Sequence, residues 1–97
     1  MVKKQEQERI EASITGRVQG VGFRHFTVRT AEKLGDVTGW VRNESDGSVT
    51  LVAEGPSDQL DELVSSVHQG PRSARVNDVD VDRKEFQDEF DSFGVRY

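Results

Sequence analysis

The sequence predicts an α+β sandwich in which an antiparallel sheet carries two helices on one face. Three observations carry that expectation. Apolar and polar residues alternate in several short runs, two intervening segments show helical spacing, and an Asp-Gly pair stands where two strands must reverse.

In the first run Ile10, Ala12, Ile14 and Val18 take even positions, with polar Arg9, Glu11, Ser13, Thr15 and Arg17 between them. This is a strand with one buried face. After Gly20 and Gly22 the period changes: Phe23, Thr27, Ala31 and Leu34 share one side of a helix, with Val28 at its margin and Gly35 as its stop. Residues 37–43 read as a second strand, and Val49, Leu51 and Ala53 alternate in a third. Ser45-Asp46-Gly47-Ser48 between them supplies the positive φ of a tight hairpin. Gly55-Pro56-Ser57-Asp58 opens a second helix, with proline in the first turn and polar residues to cap its free amides. Its core stripe is Leu60, Leu63, Val64 and Val67, and Gly70-Pro71 ends it. In the fourth strand the apolar parity shifts from Ala74 and Val76 to Val79 and Val81, which predicts a bulge near Asn77-Asp78. Phe93, Val95 and Tyr97 make a short final strand. The order β-α-β-β-α-β plus a terminal strand is that of a ferredoxin-like sandwich. One domain spans residues 1–97, with 1–8 as a loosely ordered N-terminal extension.

Composition narrows the chemistry. Val, Ile, Leu and Phe make up 25 of 97 residues, enough for a modest core. With no Cys, disulfides, thiolate zinc sites and cysteine nucleophiles are excluded, and a reducing cytoplasm is the natural compartment. No run approaches a membrane span, and the charged first residues do not resemble a signal peptide. A net charge of −5 speaks against a broad basic face for nucleic acid but leaves room for a local anion site.

That site falls at Gly16-Arg17-Val18-Gln19-Gly20-Val21-Gly22-Phe23-Arg24, where a strand feeds a helix. First-turn amides lack intrahelical partners and sit at the positive end of the helix dipole. Two glycines let the backbone curl so that several N–H groups converge on one oxyanion, and Arg24 adds a fork suited to two phosphate oxygens. The Lys-Ser/Thr pair of a P-loop and the full dinucleotide fingerprint are both missing. Taken alone, the pattern also fits a tight turn with an incidental arginine.

Together with Gly39-Trp40-Val41-Arg42-Asn43 and Asp46-Gly47-Ser48-Val49, the segment resembles the acylphosphatase family over residues 9–97. The resemblance implies metal-independent hydrolysis of the carboxyl–phosphate bond of small acyl phosphates, releasing a carboxylate and inorganic phosphate, with no cofactor. It assigns phosphate binding to Arg24 and to the backbone of Gln19, Gly20, Val21, Gly22, Phe23 and Arg24. Asn43 would position the attacking water, and Phe23 would pack inward. A non-catalytic anion-binding module of the same fold is the alternative. The acylphosphatase-like domain of hydrogenase-maturation carbamoyltransferases is a further one, against which a chain ending at Tyr97 argues. The expected protein is a cytoplasmic monomer with no nucleic-acid or membrane partner.

Other residues carry blander expectations. His25 and His68 lie on different helices without a ligand cluster, and no metal site is expected. Arg17 and Arg42 read as solvated strand arginines, Trp40 as core, and Phe86, Phe90 and Phe93 as closing the core's open end. Asp78, Asp80 and Asp82 read as a solvated strand face, Thr27 as support for helix packing or the loop, and Thr15 as non-catalytic.

Overall fold

Alternating side chains make β1 (Gln7–Arg17) a central strand of the computed structural model, which describes residues 6–97. The chain continues through α1 (Phe23–Leu34), β2 (Thr38–Asn43), β3 (Val49–Pro56), α2 (Ser57–Gln69), β4 (Arg75–Glu85) and β5 (Phe93–Val95). The five strands lie in the order β4-β1-β3-β2-β5. β1 is antiparallel to both β3 and β4, and β2 is antiparallel to β3.

The sheet is mixed, not wholly antiparallel as expected, because β5 runs parallel to β2. β4 ends beside Glu8, at the starting end of β1, and β5 begins beside Gly39, at the starting end of β2. Residues 86–92 therefore cross one end of the sheet, and the last strand can only run back along β2. Of the extension expected over residues 1–8, Gln7 and Glu8 are already paired in β1, and residues 1–5 lie outside the described residues.

Ile10, Ala12 and Ile14 of β1, Val41 of β2 and Val49, Leu51 and Ala53 of β3 form a buried layer with Phe23 and Ala31 of α1 and Leu60, Leu63 and Val67 of α2. The expected bulge is present: Thr15 pairs with Asp78 and Gly16 with Val76, so Asn77 is the extra residue on β4. It restores Val79 and Val81 to the helix side, where both pack against the core. Gly16 is required opposite it, since a Cβ there would overlap the Arg75 carbonyl and stand 2.7 Å from the Asn77 nitrogen. The caps of α2 differ in part from expectation. Pro56 is the N-cap residue, outside the first turn, and offers no side-chain acceptor to cap the helix. Asp58 Oδ1 accepts from the Gln59 amide at 2.9 Å, so one of the polar residues does satisfy a first-turn N–H as expected.

The opposite face accounts for two further corrections. Strand parity turns Val41 toward the helices and Trp40 away from them, so Trp40 is half-buried between the guanidinium groups of Arg42 and Arg96, at 5.0 and 4.4 Å from its ring. Of the three late phenylalanines, Phe93 packs on the core, Phe86 is exposed, and Phe90 lies against Arg9 at 5.2 Å. Glu54, wholly buried, ties the crossing segment down: its carboxylate accepts from Gln87 N at 2.7 Å, Glu89 N at 2.9 Å and Arg9 at 3.3 Å. Arg9 also bonds Glu11 at 3.0 Å and Glu89 at 2.7 Å. Burial pushes the Glu54 carboxyl up, but the two N–H donors and Arg9 outweigh it and hold the group below the usual carboxylate range. Among the described residues no helix is long and apolar enough to cross a membrane.

Candidate active site

Strand directions concentrate the chemistry at one end of the sheet. β1, β2 and β5 all finish there, and α1 begins there. The turn from β1 into α1 passes through Gly20 and Gly22 at φ 72° and 79°, left-handed values that L side chains adopt only at a cost. Gly22 is the N-cap residue of α1, so no side chain caps the helix, and no acidic residue occupies its first turn. The leading amides of α1 thus remain available to an external anion. Phe23, 1% exposed, anchors the turn by packing inward as expected. Thr27, also buried, donates to the Phe23 carbonyl at 2.9 Å and reinforces the same turn.

Above this turn lies a cavity of about 230 Å³ lined by Val18, Gly20, Gly22, Phe23, Arg24, His25, Asn43, Val95 and Tyr97. It brings together five of the residues singled out from sequence: Gly20, Gly22, Phe23, Arg24 and Asn43. Gln19 and Val21 do not line it. Val21 packs against the core, and the Gln19 side chain turns to the β2–β3 hairpin, donating from Nε2 to the carbonyls of Glu44 at 2.7 Å and Ser48 at 2.8 Å. Larger hollows elsewhere on the surface hold none of these residues, so size does not identify the site.

Asn43 ends β2 and pairs with Val49 across the hairpin. Among the described residues its Oδ1, a buried acceptor, has no hydrogen-bond partner. A buried acceptor left unpaired costs on the order of 1–3 kcal/mol, which a bound water removes. The pocket therefore combines donors for an anion with one acceptor for a neutral donor.

Three lining residues, His25, Val95 and Tyr97, escape sequence reasoning. Tyr97 was read only as the last alternating residue of a strand, whereas β5 stops at Val95 and the Tyr97 ring lies over Arg24, 5.3 Å from its guanidinium carbon. His25 adjoins Arg24 in sequence, and that adjacency to the loop was the available signal. His68 sits far along α2, with Nδ1 3.0 Å from the Val64 carbonyl. Arg17 and Arg42 are outside the pocket; Arg42 lies on Trp40 and bonds Glu44 at 3.0 Å.

Residues 10–95 match the Acylphosphatase family model. An acylphosphatase of Salinibacter ruber is 63% identical over 90 residues, covering 93% of this chain and 94% of the relative. One from Syntrophotalea carbinolica is 45% identical, with 92% of this chain and 96% of the relative covered. The crystal structure of acylphosphatase from Bacillus subtilis superposes with a TM-score of 0.89 at 36% identity, covering 93% of this chain and 99% of that one. Over nearly the whole of its sequence and fold, this chain belongs to the acylphosphatase family.

Proposed function

We propose that the chain hydrolyses small acyl phosphates to a carboxylate and inorganic phosphate without a metal, using the loop backbone and Arg24 to hold the phosphoryl group and Asn43 to hold water. The observation that carries this reading is the unpaired, buried Oδ1 of Asn43, a residue that lines one cavity together with Arg24 and the start of α1. A simple anion receptor has no need of an acceptor there, but an attacking water does.

The chemistry asks little of the protein. Amides of residues 19–24 and the Arg24 fork neutralise phosphoryl oxygens, as a loose transition state requires. The water held by Asn43 forms the new P–O bond as the bond to the acyl oxygen breaks, and the bonding pair leaves with the carboxylate. Its parent acid has a pKa of about 4, so the leaving group departs unprotonated and no general acid is needed. Asn43 is neutral and orients the water without deprotonating it; the proton passes to a phosphoryl oxygen of the substrate.

Residues 1–97 act as one domain in this reading, as a monomer in a reducing cytoplasm, without nucleic-acid or membrane partners. The absence of Cys and the net charge of −5 support that assignment. The test is turnover of benzoyl phosphate in the presence of a chelator, with inorganic phosphate as competitor. Asn43→Ala should cut turnover to a small residual rate while phosphate still binds. Phosphate binding by the wild-type chain without any turnover would mark a regulatory anion-binding module instead.

A further inference from the structure

We propose that the Gln19 side chain is a positioning residue for hydrolysis, clamping the phosphate loop to the β2–β3 hairpin so that Asn43 stands at a fixed place relative to the bound phosphoryl group. The inference rests on the reading of Asn43 as holder of the attacking water.

Gln19 lies within the loop, next to Gly20, but its amide faces away from the cavity. Nε2 donates at 2.7 Å to the Glu44 carbonyl and at 2.8 Å to the Ser48 carbonyl. Both neighbours are main-chain acceptors, so both amide hydrogens are committed and the orientation of the amide follows. These carbonyls close the two ends of the hairpin turn, where Glu44 N bonds Ser48 O at 2.8 Å and Gly47 N bonds Glu44 O at 3.2 Å. Gln19 takes the second lone pair of each.

The turn is already held from within. Asp46 accepts from Ser48 N at 2.9 Å and from Ser48 Oγ at 2.6 Å. Gln19 is therefore surplus to forming the hairpin; what it adds is a link between hairpin and loop. That link matters because β1 and β2 are not neighbours: β3 lies between them. Without Gln19 the loop after β1 and Asn43 at the end of β2 are aligned only through β3 and the core. With it, the residue before Gly20 is joined to the residue after Asn43.

In-line attack is sensitive to small displacements, and a shift of about 1 Å can cost roughly a hundredfold in rate. Gln19→Met, which keeps the length and loses both donors, should lower kcat on benzoyl phosphate at least about tenfold. KM and the inhibition constant for phosphate should change less than about twofold. Gln19→Glu, which presents an acceptor to two carbonyls, should lower kcat at least as far. A residue that merely supports folding would move the thermal midpoint, or kcat and phosphate binding together.

The decisive comparison uses residual turnover in the Asn43→Ala background. If Gln19 acts through Asn43, adding Gln19→Met there lowers turnover by less than about twofold. Independent, multiplying losses overturn the proposal. So does rapid, solvent-rate exchange of the Gln19 Nε2 protons in the wild-type chain, which NMR reads without any variant having to fold. Wild-type turnover by Asn43→Ala itself would remove the water-holding role, an outcome distinct from a failure at Gln19.

Discussion

The ring of Tyr97 lies 5.3 Å from the guanidinium carbon of Arg24, although Tyr97 is itself 95% exposed. The contact holds the one cation of the proposed phosphate cradle from the solvent side. At an exposed site such a contact is worth about 0.5–1 kcal/mol. Tyr97→Ala should therefore raise KM and the phosphate inhibition constant roughly two- to fivefold. Tyr97→Phe, which keeps the ring, should leave both unchanged in steady-state assays.

Arg24 supplies a planar fork on the first turn of α1. Arg24→Ala should nearly abolish turnover and, unlike Asn43→Ala, should also remove competition by inorganic phosphate. Arg24→Lys keeps the charge and loses the fork, so phosphate competition should return in part while turnover stays well below wild type. Phosphate titration followed by calorimetry separates the three variants.

Backbone conformation gives a prediction about stability. A Cβ at Gly22 would meet nothing within 4 Å, but φ is 79° there. Gly22→Ala should fold and lose about 1–2 kcal/mol in denaturant unfolding, the cost of a left-handed L residue. Gly16→Ala should lose clearly more, because its Cβ must also displace the backbone of β4 at Arg75 and Asn77.

Acid stability should depend on Glu54. Its carboxyl is held below its ordinary value, so the unfolded chain binds the proton more readily. The stabilisation is complete above the unfolded-state pKa and is lost as pH falls through the folded-state pKa. Glu54→Ala should flatten that part of the acid unfolding profile and, by leaving the Gln87 and Glu89 amides without their acceptor while Arg9 keeps Glu11 and Glu89, cost about 1–3 kcal/mol at neutral pH.

What could be read from sequence follows from range. Local periodicity located both helices, the hairpin at Asp46-Gly47 and the bulge at Asn77, because each is a contest between neighbours in the chain. The resemblance of residues 16–24 and 39–43 brought the loop and Asn43 to notice, and the structure puts Arg24 and Asn43 in one cavity. Illegible were facts decided by distant partners. Trp40 looks apolar in a Val-rich strand, yet Arg96 from the far end of the chain joins its strand neighbour Arg42 in enclosing it on the face away from the helices. Gln19 reads only as backbone of a ligand loop, and the hairpin 25 residues later shows what its side chain holds. The direction of β5 depended on where residues 86–92 cross the sheet, which their composition does not encode.

The shared direction of β1, β2 and β5 has a practical side. Chain appended after Tyr97 would emerge at the mouth of the cavity, whereas the start of β1 lies at the other end of the sheet. An affinity handle or fluorescent fusion belongs on the N-terminal side, where it can trail into solvent without shading the site from its substrate.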